Sequence, residues 1–576
     1  MVAAVRLVAG CVLAAFLTSA AAAQVIPPRD LPGRERERFT QPPAPLAQPG
    51  GPAITLPSTV APKGAEKVIL RVRGVHIVGS TVYSAKELAP LYEDLLGSDV
   101  PLTAIYDLAQ RITAKYGKDG YVLSRAIVPP QQLNPKGAVV EIQVVEGYID
   151  SVVWPARLSR YQNFFSHYAA KIIADRPANI RTVERYLLLA GDLPGLKFST
   201  SLKPSKTRQG AATLVVEVVE KRIDANAHVD NRGTTARGPF EYYGSVAINN
   251  LFGWNDALTL TYAGVVPTRE LNYAAFNYRK VLNAEGLAFF ADGSYAWGTP
   301  GTIQLESLQY RTLGPYGDAG LSYPVIRSRE RNLTLSALGF ASDNTSYETG
   351  NLFTDDRLRG ARVRVDADFA DQFLAINQFY AIFSQGIEGL GSTQNGDLYA
   401  SRPGGRVDFT KVEMFFGRTQ PLFGDFSAYT AIYGQYAAEP LLVPEQCGYG
   451  GRFFGRAFDP SQFLGDSCIE ASQELRYDIR KPPAWMVGLT QEQLYGFVDW
   501  GELYSRGTLD PVLGFAPIPR LLQDGASAGV GIRLAWINHI AADLSIAQAI
   551  SVDHNNQAIP GLLNERRFFF IVSATY

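Results

Sequence analysis

The end of the chain constrains its fold more than any other segment. The last ten residues predict a β-strand that is rich in apolar side chains and stops on an aromatic residue. One face of this strand carries Phe568, Phe570, Val572, Ala574 and Tyr576. A soluble sheet ending this way would expose an apolar edge to aggregation, whereas the last strand of a closed barrel pairs with its first strand. We therefore expect a transmembrane β-barrel, with Phe568, Phe570, Val572 and Tyr576 as its C-terminal insertion signal.

The start of the chain predicts export. Arg6 precedes an apolar run at 7–16, and Ala21, Ala22 and Ala23 offer a cleavage site, so residues 1–23 read as a signal peptide. The run is too short for a membrane-spanning helix, which needs roughly 20 apolar residues. We expect the mature chain to lie in the cell envelope.

Two cysteines, Cys447 and Cys468, remain after the signal peptide. A single pair in an exported protein predicts a disulfide, because the compartment is oxidising. The alternative is a pair of free, buried thiols.

Composition agrees with a barrel. The chain is 46% hydrophobic, yet its mean hydropathy is −0.04 and it has no run of 18 apolar residues. Barrel strands place apolar residues at alternate positions, which spreads them along the sequence. The net charge of −1 argues against a nucleic-acid partner, which would require a basic face.

Residues 24–66 form a proline-rich linker, and such a segment is extended and builds no core. Within it, Asp30–Thr40 is highly charged and is a candidate for a short helix. The alternative is a solvated tether.

Residues 67–147 and 148–222 share the order β-α-α-β-β and so form an internal repeat. The elements predicted in the first unit are a strand at 68–77, helices at 85–95 and 102–116, and strands at 122–128 and 138–145. Those predicted in the second unit are a strand at 149–154, helices at 161–174 and 179–190, and strands at 196–202 and 212–219. Each unit is large enough for a small core.

Residues 223–576 lose the helical period and alternate apolar with polar side chains, as Ile223, Ala225, Ala227 and Val229 illustrate. This pattern is typical of strands with lipid on one side and water on the other. Seven short turns at one end and eight mostly longer loops at the other give sixteen strands. The predicted loops include 342–359 and, as the sixth, 439–470. The fold class is therefore mainly β: a 16-stranded antiparallel transmembrane barrel behind two small β-α-α-β-β domains.

No catalytic site, metal site or cofactor site is expected. The histidines His76, His167, His228, His539 and His554 are scattered, without the spacing of metal ligands. Gly465-Asp466-Ser467 echoes the nucleophile loop of trypsin-like proteases, which need a histidine and an aspartate on a different fold. The sequence contains no phosphate-binding loop of the G-x-x-x-x-G-K-[ST] type.

Two such units before a sixteen-stranded barrel resemble the two-partner-secretion transporters of Gram-negative bacteria, of the haemolysin secretion/activation (TpsB) type. The resemblance covers nearly the whole mature chain and implies that the two small units are periplasmic POTRA domains. In the sixth loop, Gly455, Arg456 and Phe458 are similar to that superfamily's V-R-G-[YF] signature, although Gly455 and Ala457 depart from it. The second signature, F-x-D-x-G on the thirteenth strand, is intact as Phe497, Asp499 and Gly501.

The resemblance implies that loop 6 folds into the lumen, where Arg456 meets Asp499. A guanidinium binds a carboxylate through two parallel hydrogen bonds, which fixes its orientation. The alternative is a solvated loop arginine and an unrelated aspartate.

The function that follows from the resemblance is secretion of one large exported protein of the adhesin, haemolysin or contact-dependent toxin type. The POTRA domains would capture the unfolded partner on a sheet edge or beside a helix, with Thr213–Val219 and Thr182–Leu189 as candidates, unless both are ordinary core. The segment around Asp30–Thr40 would plug the pore at rest, and loop 6 would move aside. Other expected partners are outer-membrane lipid and the barrel-assembly machinery.

Three other functions are alternatives. A barrel-assembly relative that inserts other proteins is the main alternative, although such proteins usually carry more POTRA units. A nutrient porin would lack residues 67–222, and an outer-membrane hydrolase would need the catalytic residues that are missing.

Overall fold

The computed structural model of the chain describes residues 26–40, 44–49, 61–206, 208, 210–480, 488–510, 516–536, 539–555, 557–558, 563 and 566–576. The expected signal peptide, 1–23, and parts of the linker lie outside these residues. Among the helices that are described, none is long and apolar enough to cross a bilayer.

The N-terminal segment, residues 26–40 and 44–49, contains a 3₁₀ turn at Pro28–Asp30 and a short helix, α1, at Glu35–Phe39. The sequence marks Asp30–Thr40 as a candidate helix, and α1 lies within that range. It lies against the inner wall of the barrel described below, not in solvent.

The first small domain spans 67–147. Its elements are β1 (Ile69–Val78), α2 (Ala85–Leu88), β2 (Asp99–Pro101), α3 (Leu102–Lys118), β3 (Arg125–Ile127) and β4 (Ala138–Val145). The sheet order is β2-β1-β4-β3, so it has one short strand more than the sequence predicts. The helix predicted at 85–95 breaks into α2 and two 3₁₀ turns, because Pro90 has no N–H to continue an α-helix.

The second small domain spans 148–222. Its elements are β5 (Tyr148–Val153), a 3₁₀ turn (Ala156–Tyr161), α4 (Gln162–Ala174), α5 (Ile180–Gly191), β6 (Leu196–Pro204) and β7 (Ala211–Glu220). The sheet order is β5-β7-β6. Tyr168, Ile172 and Leu214 belong to its buried core, which also includes Val281 from the end of a barrel strand. The domain therefore packs directly on the end of the barrel.

The rest of the chain is a barrel with short elements in its outer loops. Its elements are β8 (Ile223–Asp230), β9 (Phe240–Asn249), β10 (Asp256–Val266), β11 (Asn272–Val281), β12 (Ala288–Gly298), α6 (Ile303–Ser307), β13 (Arg311–Arg327), β14 (Arg331–Glu348), β15 (Asn351–Ala370), β16 (Ile376–Gly386), β17 (Thr410–Pro421), β18 (Phe426–Ala437), β19 (Cys447–Tyr449), β20 (Phe463–Gly465), β21 (Ser467–Asp478), β22 (Leu489–Ser505), β23 (Thr508–Asp510), β24 (Ala516–Ile518), β25 (Leu521–Trp536), β26 (Ile540–His554), β27 (Gln557–Ala558) and β28 (Arg566–Thr575).

Sixteen long antiparallel strands among the described residues close the barrel, as the sequence predicts, and β28 pairs with β8. The pairs β19–β20 and β23–β24 form separate hairpins in the loops, and β27 is a two-residue addition to β26. The last strand alternates as expected: Phe568, Val572 and Tyr576 are exposed, and Phe569 is buried. An exposed apolar face on a closed barrel is the face that lipid covers.

The prediction of an outer loop at 342–359 is wrong. Strands β14 and β15 stay paired up to Glu348 and Asn351, and only Thr349 and Gly350 form the turn. Both turn residues have positive φ, 48° and 83°, as a tight hairpin turn requires. Beyond the membrane both faces of the hairpin meet water, so the apolar alternation stops although the strands continue.

Candidate functional site: the barrel lumen

Outer loop 6, residues 438–466 between β18 and β21, folds back into the barrel. Its hairpin β19–β20 and its tip contribute Tyr449, Phe458 and Phe463 to a buried cluster with the wall residue Phe497. Cys447 and Cys468 form a disulfide across the roots of the loop, with their Cα atoms 6.5 Å apart. The disulfide limits how far the two roots can separate.

The structure brings the two sequence signatures together inside the lumen. Arg456 Nε lies 3.0 Å from Asp499 Oδ2, and Arg456 Nη2 lies 2.7 Å from Oδ1. The backbone N–H of Arg456 also donates to Asp499 Oδ2, at 3.0 Å. Arg456 therefore binds Asp499 through both its guanidinium group and its backbone N–H, which fixes the loop tip on β22.

Residues that the sequence did not single out complete this contact. Arg456 Nη2 donates to Ser472 Oγ at 2.9 Å, and Nη1 donates to Glu474. The guanidinium carbon lies 3.5 Å from the centre of the Phe497 ring. Ser472 and Glu474 stand at alternate positions of β21, a polar spacing that marks a lumen-facing strand, but only the fold shows which of them meets Arg456.

The signature glycines make room for Tyr449, another residue that the sequence did not single out. Gly455 has φ of +65°, and a Cβ there would lie 2.7 Å from the Tyr449 ring. A Cβ at Gly501 would collide with the same ring. Both positions therefore need a residue without a side chain, because the ring occupies that space.

The Arg456–Asp499 pair is removed from water. The side chain of Arg456 is 7% exposed and that of Asp499 is 0% exposed. Losing one partner of a buried pair strands the other charge, at a cost of roughly 3–5 kcal/mol. The pair therefore belongs to the dry part of the lumen and not to its wet surface.

A second buried carboxylate, Asp466, ties three outer loops together. It accepts hydrogen bonds from Arg402 of loop 5 (387–409), from the Leu441 N–H of loop 6 at 2.9 Å, and from the Arg506 N–H of loop 7 (506–520) at 2.7 Å. Asp466 is 0% exposed. The Gly465-Asp466-Ser467 sequence thus contributes a carboxylate that holds the outer loops.

Glu445 fixes the other root of loop 6 to the barrel wall. Its Oε1 lies 2.7 Å from Arg362 Nη2, and its Oε2 lies 2.8 Å from Lys411 Nζ. Burial opposes its ionisation, but Arg362 and Lys411 outweigh that effect and lower the pKa of the Glu445 carboxyl to about 2. This root is therefore charged and anchored at any ordinary pH.

The N-terminal segment fills the space beside loop 6. Arg34 donates to the Gln446 carbonyl and to Ser461 Oγ, both in loop 6. Arg38 pairs with Glu241 on β9, and Glu35 lies 3.3 Å from Arg237 in outer loop 1 (231–239). The segment thus contacts loop 6, the barrel wall and outer loop 1.

Farther along, the segment reaches the opposite end of the barrel. The Gln48 N–H donates to the Arg329 carbonyl at 2.8 Å, in a turn on the side of the small domains. The N-terminal segment therefore reaches from the outer loops, where Arg34 lies, to the end of the barrel beside the small domains, where Gln48 lies.

One carboxyl of this segment, that of Asp30, is buried, with 4% of the residue exposed. Burial raises the pKa of Asp30, although Arg237 opposes the change. Burial therefore makes the ionised form of Asp30 less stable in the lumen than in water, which favours a segment that can leave.

The structure shows what surrounds the two candidate capture elements in the second small domain. Thr213–Val219 belongs to β7, the central strand, which pairs with β6 along this whole stretch but with β5 only as far as Val215. Helix α5, which contains Thr182–Leu189, contacts the barrel: Glu184 accepts the Arg329 N–H at 2.8 Å, and Arg185 donates to the Val325 carbonyl at 3.3 Å. Both elements are therefore partly occupied by other parts of the chain.

Within the described part of the chain, no group of three or more histidine, cysteine, aspartate or glutamate side chains is placed to hold a metal ion. The lumen is instead a network of arginine–carboxylate pairs.

Comparison with known proteins yields two family matches. Residues 70–147 match the POTRA domain, ShlB-type, and residues 210–518 match the haemolysin secretion/activation protein ShlB/FhaC/HecB. The second match covers more than half of the chain.

Individual relatives agree. The chain is 21% identical over 473 residues to the outer membrane transporter CdiB of Dickeya dadantii, covering 81% of each protein. It is 22% identical over 371 residues to the heme/hemopexin transporter protein HuxB of Haemophilus influenzae, covering 63% of this chain and 64% of HuxB, less than two thirds of that relative.

Solved structures share the fold. CdiB from Escherichia coli superposes with a TM-score of 0.67 at 17% identity, covering 94% of this chain and 96% of CdiB. CdiB from Acinetobacter baumannii gives a TM-score of 0.57 at 16% identity, covering 94% and 95%.

Proposed function

The chain belongs to the haemolysin secretion/activation protein family ShlB/FhaC/HecB, and from that premise we propose how it moves its partner across the membrane. Members of this family are outer-membrane transporters for protein secretion, with a β-barrel in the membrane and POTRA domains in the periplasm. The alternative of a barrel-assembly insertase is not favoured. The cargo, the capture surface and the route through the lumen are the content of the proposal.

The cargo is one large exported protein, of the adhesin, haemolysin or contact-dependent toxin type, that arrives unfolded in the periplasm. Two named relatives support this class: one is described as a heme/hemopexin transporter and the other as an outer membrane transporter. An unfolded chain offers main-chain hydrogen bonds along its whole length, so a sheet edge can capture it with little demand on sequence.

The capture surface is the free edge of β6 in the second small domain. Among the described residues, β6 pairs only with β7, and its side chains from Ser199 to Pro204 are exposed. They are mostly polar, which keeps the edge soluble while its main-chain groups remain available. We prefer this strand to Thr213–Val219 and Thr182–Leu189, because β7 is the central strand of its sheet and α5 contacts the barrel.

The route is the lumen that the N-terminal segment occupies at rest. Its withdrawal breaks the contacts of Arg34 and Arg38 and leaves a passage beside loop 6. Loop 6 keeps its order through Arg456 and Asp499. Folding of the cargo outside the cell then makes the movement one-way, which needs no nucleotide.

The observation that carries this proposal is that the N-terminal segment contacts loop 6 at one end of the barrel, through Arg34, and the turn at Arg329 at the other end, through Gln48. A segment that enters at the outer loops and leaves beside the POTRA domains follows the path that a secreted chain must take. The barrel is therefore wide enough for an extended polypeptide, since it already holds one together with loop 6.

The test is a secretion assay in cells that express the chain with the large exported protein encoded beside its gene. We expect that protein in the medium only when the transporter is present, and in the periplasm otherwise. A matched strain carries the barrel without residues 67–222, which should insert but not secrete. Equal secretion with and without the transporter would refute the function.

A further inference from the structure

The seam where the barrel closes has an unusually short ladder. Strand β8 pairs with β9 over its full length, from Ile223 to Asp230, but with β28 only from Asn226 to Asp230. On β28, residues Arg566–Phe570 pair with β26 but lie beyond the ladder to β8. Within the described residues, the ladder from β28 to β8 therefore has five residue pairs, whereas the ladder from β28 to β26 has nine.

A side chain replaces the missing strand there. Asn231 follows directly after β8, and its Nδ2 donates to the Phe568 carbonyl at 2.8 Å. Its Oδ1 accepts the Phe570 N–H at 2.9 Å. One amide thus makes the donor and acceptor pair that a neighbouring strand would supply, and it extends the seam by about one residue pair.

The tip of loop 6 reaches both sides of the same seam from within the lumen. Arg452 pairs with Asp230 at the end of β8. Asp459 accepts a hydrogen bond from Arg567 of β28, with Nη1 and Oδ1 2.6 Å apart. Two ion pairs, seven residues apart on one loop, therefore span the joint between the first and last strands.

Arg232 adds a contact that links all three parts. It follows β8, it donates to the Gly451 carbonyl of loop 6 at 3.5 Å, and its guanidinium carbon lies 4.5 Å from the centre of the Phe569 ring on β28. Arg232 and Phe569 are both buried. The contact is thus shielded from water, where cation–π attraction is strongest.

We propose that Asn231 and the tip of loop 6, Gly451–Asp459, form an internal clasp that keeps the seam between β8 and β28 closed while cargo passes. The clasp rests on the proposed function for its role, because a pore needs a closed wall whereas an insertase would need an open one. The loop tip then stays in place during secretion, and the passage opens only by departure of the N-terminal segment. This revises the expectation that loop 6 moves aside.

The N-terminal segment is not required for the clasp. Arg29 approaches Asp459 at 3.7 Å, but Arg567 is closer and belongs to the wall. When the segment leaves, Asp459 keeps its partner on β28. The seam is therefore held both at rest and during transport.

Hydrogen exchange of the full mature chain in lipid nanodiscs tests the clasp without any cargo. In Asn231→Ala and in Arg567→Gln we expect the amides of β8 and β28 to exchange roughly tenfold faster, because each change removes hydrogen bonds that span the seam. The β14–β15 ladder should not change. Exchange at the seam equal to that of the unaltered chain would overturn the proposal.

The control is Arg364→Gln, which removes an ion pair of similar exposure on β15, Arg364–Asp366, far along the wall from the seam. It should leave exchange at the seam unchanged. If Arg567→Gln does not fold, the double variant Arg567→Asp with Asp459→Arg restores the pair with reversed charges. Slow exchange at the seam should return in that variant, and persistent fast exchange would contradict the clasp.

A cross-link separates the clasp from the function. Ala227 and Ala574 face each other in the seam ladder, so Ala227→Cys with Ala574→Cys allows a disulfide that holds the seam shut. We expect the cross-linked chain to secrete as well as the same chain after reduction, with the parent chain as the control for reductant. Secretion only after reduction would show that the seam opens. Failure to secrete in every strain would instead refute the function and leave the exchange result standing.

Discussion

At the scale of single residues, Arg456 joins loop 6 to the barrel wall and so orders the interior of the lumen. It joins the loop-6 tip to β22 through Asp499, to β21 through Ser472 and Glu474, and to the Phe497 ring. A point charge cannot replace a fork that makes several directed hydrogen bonds at once. The role proposed for Arg456 is to order the lumen, not to carry cargo.

Arg456→Ala should abolish secretion while the barrel still inserts, because Asp499 is left buried without its partner. We expect the free energy of unfolding to fall by roughly 3–5 kcal/mol. Heat-modifiable migration in gels measures insertion, and cargo in the medium measures transport. Arg364→Ala is the matched control, since it removes a lumen arginine that does not touch loop 6. Normal secretion by Arg456→Ala would remove the assigned role.

The sequence located this pair, but not its surroundings. Arg456 and Asp499 stand in signatures that name them, so a resemblance was enough to propose their contact. Glu474, Tyr449 and Asp466 stand in no signature, and their partners are far apart in the chain. Which polar residue of a lumen-facing strand meets which loop residue depends on register and loop path, and alternation alone does not determine either.

At the scale of elements, the N-terminal segment is the one that must move. Arginines of the segment bind loop 6 and the barrel wall, but burial raises the pKa of Asp30, which makes its ionised form less stable in the lumen. Such a balance suits a segment that leaves and returns.

Deleting residues 30–40 should raise the conductance of the barrel in planar bilayers. The deletion removes α1, its ion pairs and the Phe39 ring that packs on Tyr273, and water and ions take their place. A deletion of equal length at 50–60, in the linker, serves as the control. Conductance that matches the intact chain would show that the segment does not close the pore.

The edge of β6 gives a second test at this scale. Successive N–H groups of a strand point to opposite sides, so one of Ser199 and Thr200 donates toward β7 and the other toward the free edge. Ser199→Pro and Thr200→Pro should therefore differ: one should destabilise the domain, and the other should leave it folded but stop capture. Circular dichroism of the POTRA region within the full chain and secretion of cargo measure the two effects. Two folded variants that both secrete would exclude this edge.

Elements differed in how far the sequence could define them. The strand predicted at 138–145 coincides with β4, because its apolar alternation is complete. The helix predicted at 85–95 failed at Pro90, and the loop predicted at 342–359 failed because a hairpin in water loses its apolar pattern but keeps its hydrogen bonds. The apolar alternation of a strand reflects burial of one of its faces. Where neither face is buried, the alternation disappears although the strand continues.

At the scale of the whole molecule, the second POTRA domain is docked on the barrel and not loosely tethered. Asp192 accepts two hydrogen bonds from Arg327, at 2.7 and 2.8 Å, and Glu285 on a barrel turn accepts the Tyr186 hydroxyl at 3.1 Å. A second barrel turn, at Arg329, also joins these parts. The Arg329 N–H donates to Glu184 of the domain, and the Arg329 carbonyl accepts the Gln48 N–H of the N-terminal segment. Domain, barrel and segment therefore meet at one place.

Asp192→Ala should loosen this junction and slow secretion without abolishing it. The pair is partly exposed, so we expect a loss of about 1 kcal/mol or less in docking. Distances between spin labels on α4 and on the barrel turn at 282–287 should broaden. Asp94→Ala is the control, because Asp94 is exposed and pairs with Arg111 within the first domain, away from the junction. Unchanged distances would mean that Arg327 is not the anchor.

The position of the N-terminal segment inside the lumen suggests an order for biogenesis. If the barrel closed first, the N-terminal segment would have to enter it from the side of the small domains and cross the whole pore. The simpler sequence of events wraps the growing sheet around its own amino-terminal stretch, and the join of β28 to β8 comes last. In that case the N-terminal segment would already occupy the pore when assembly ends, and the membrane would never contain an unplugged barrel.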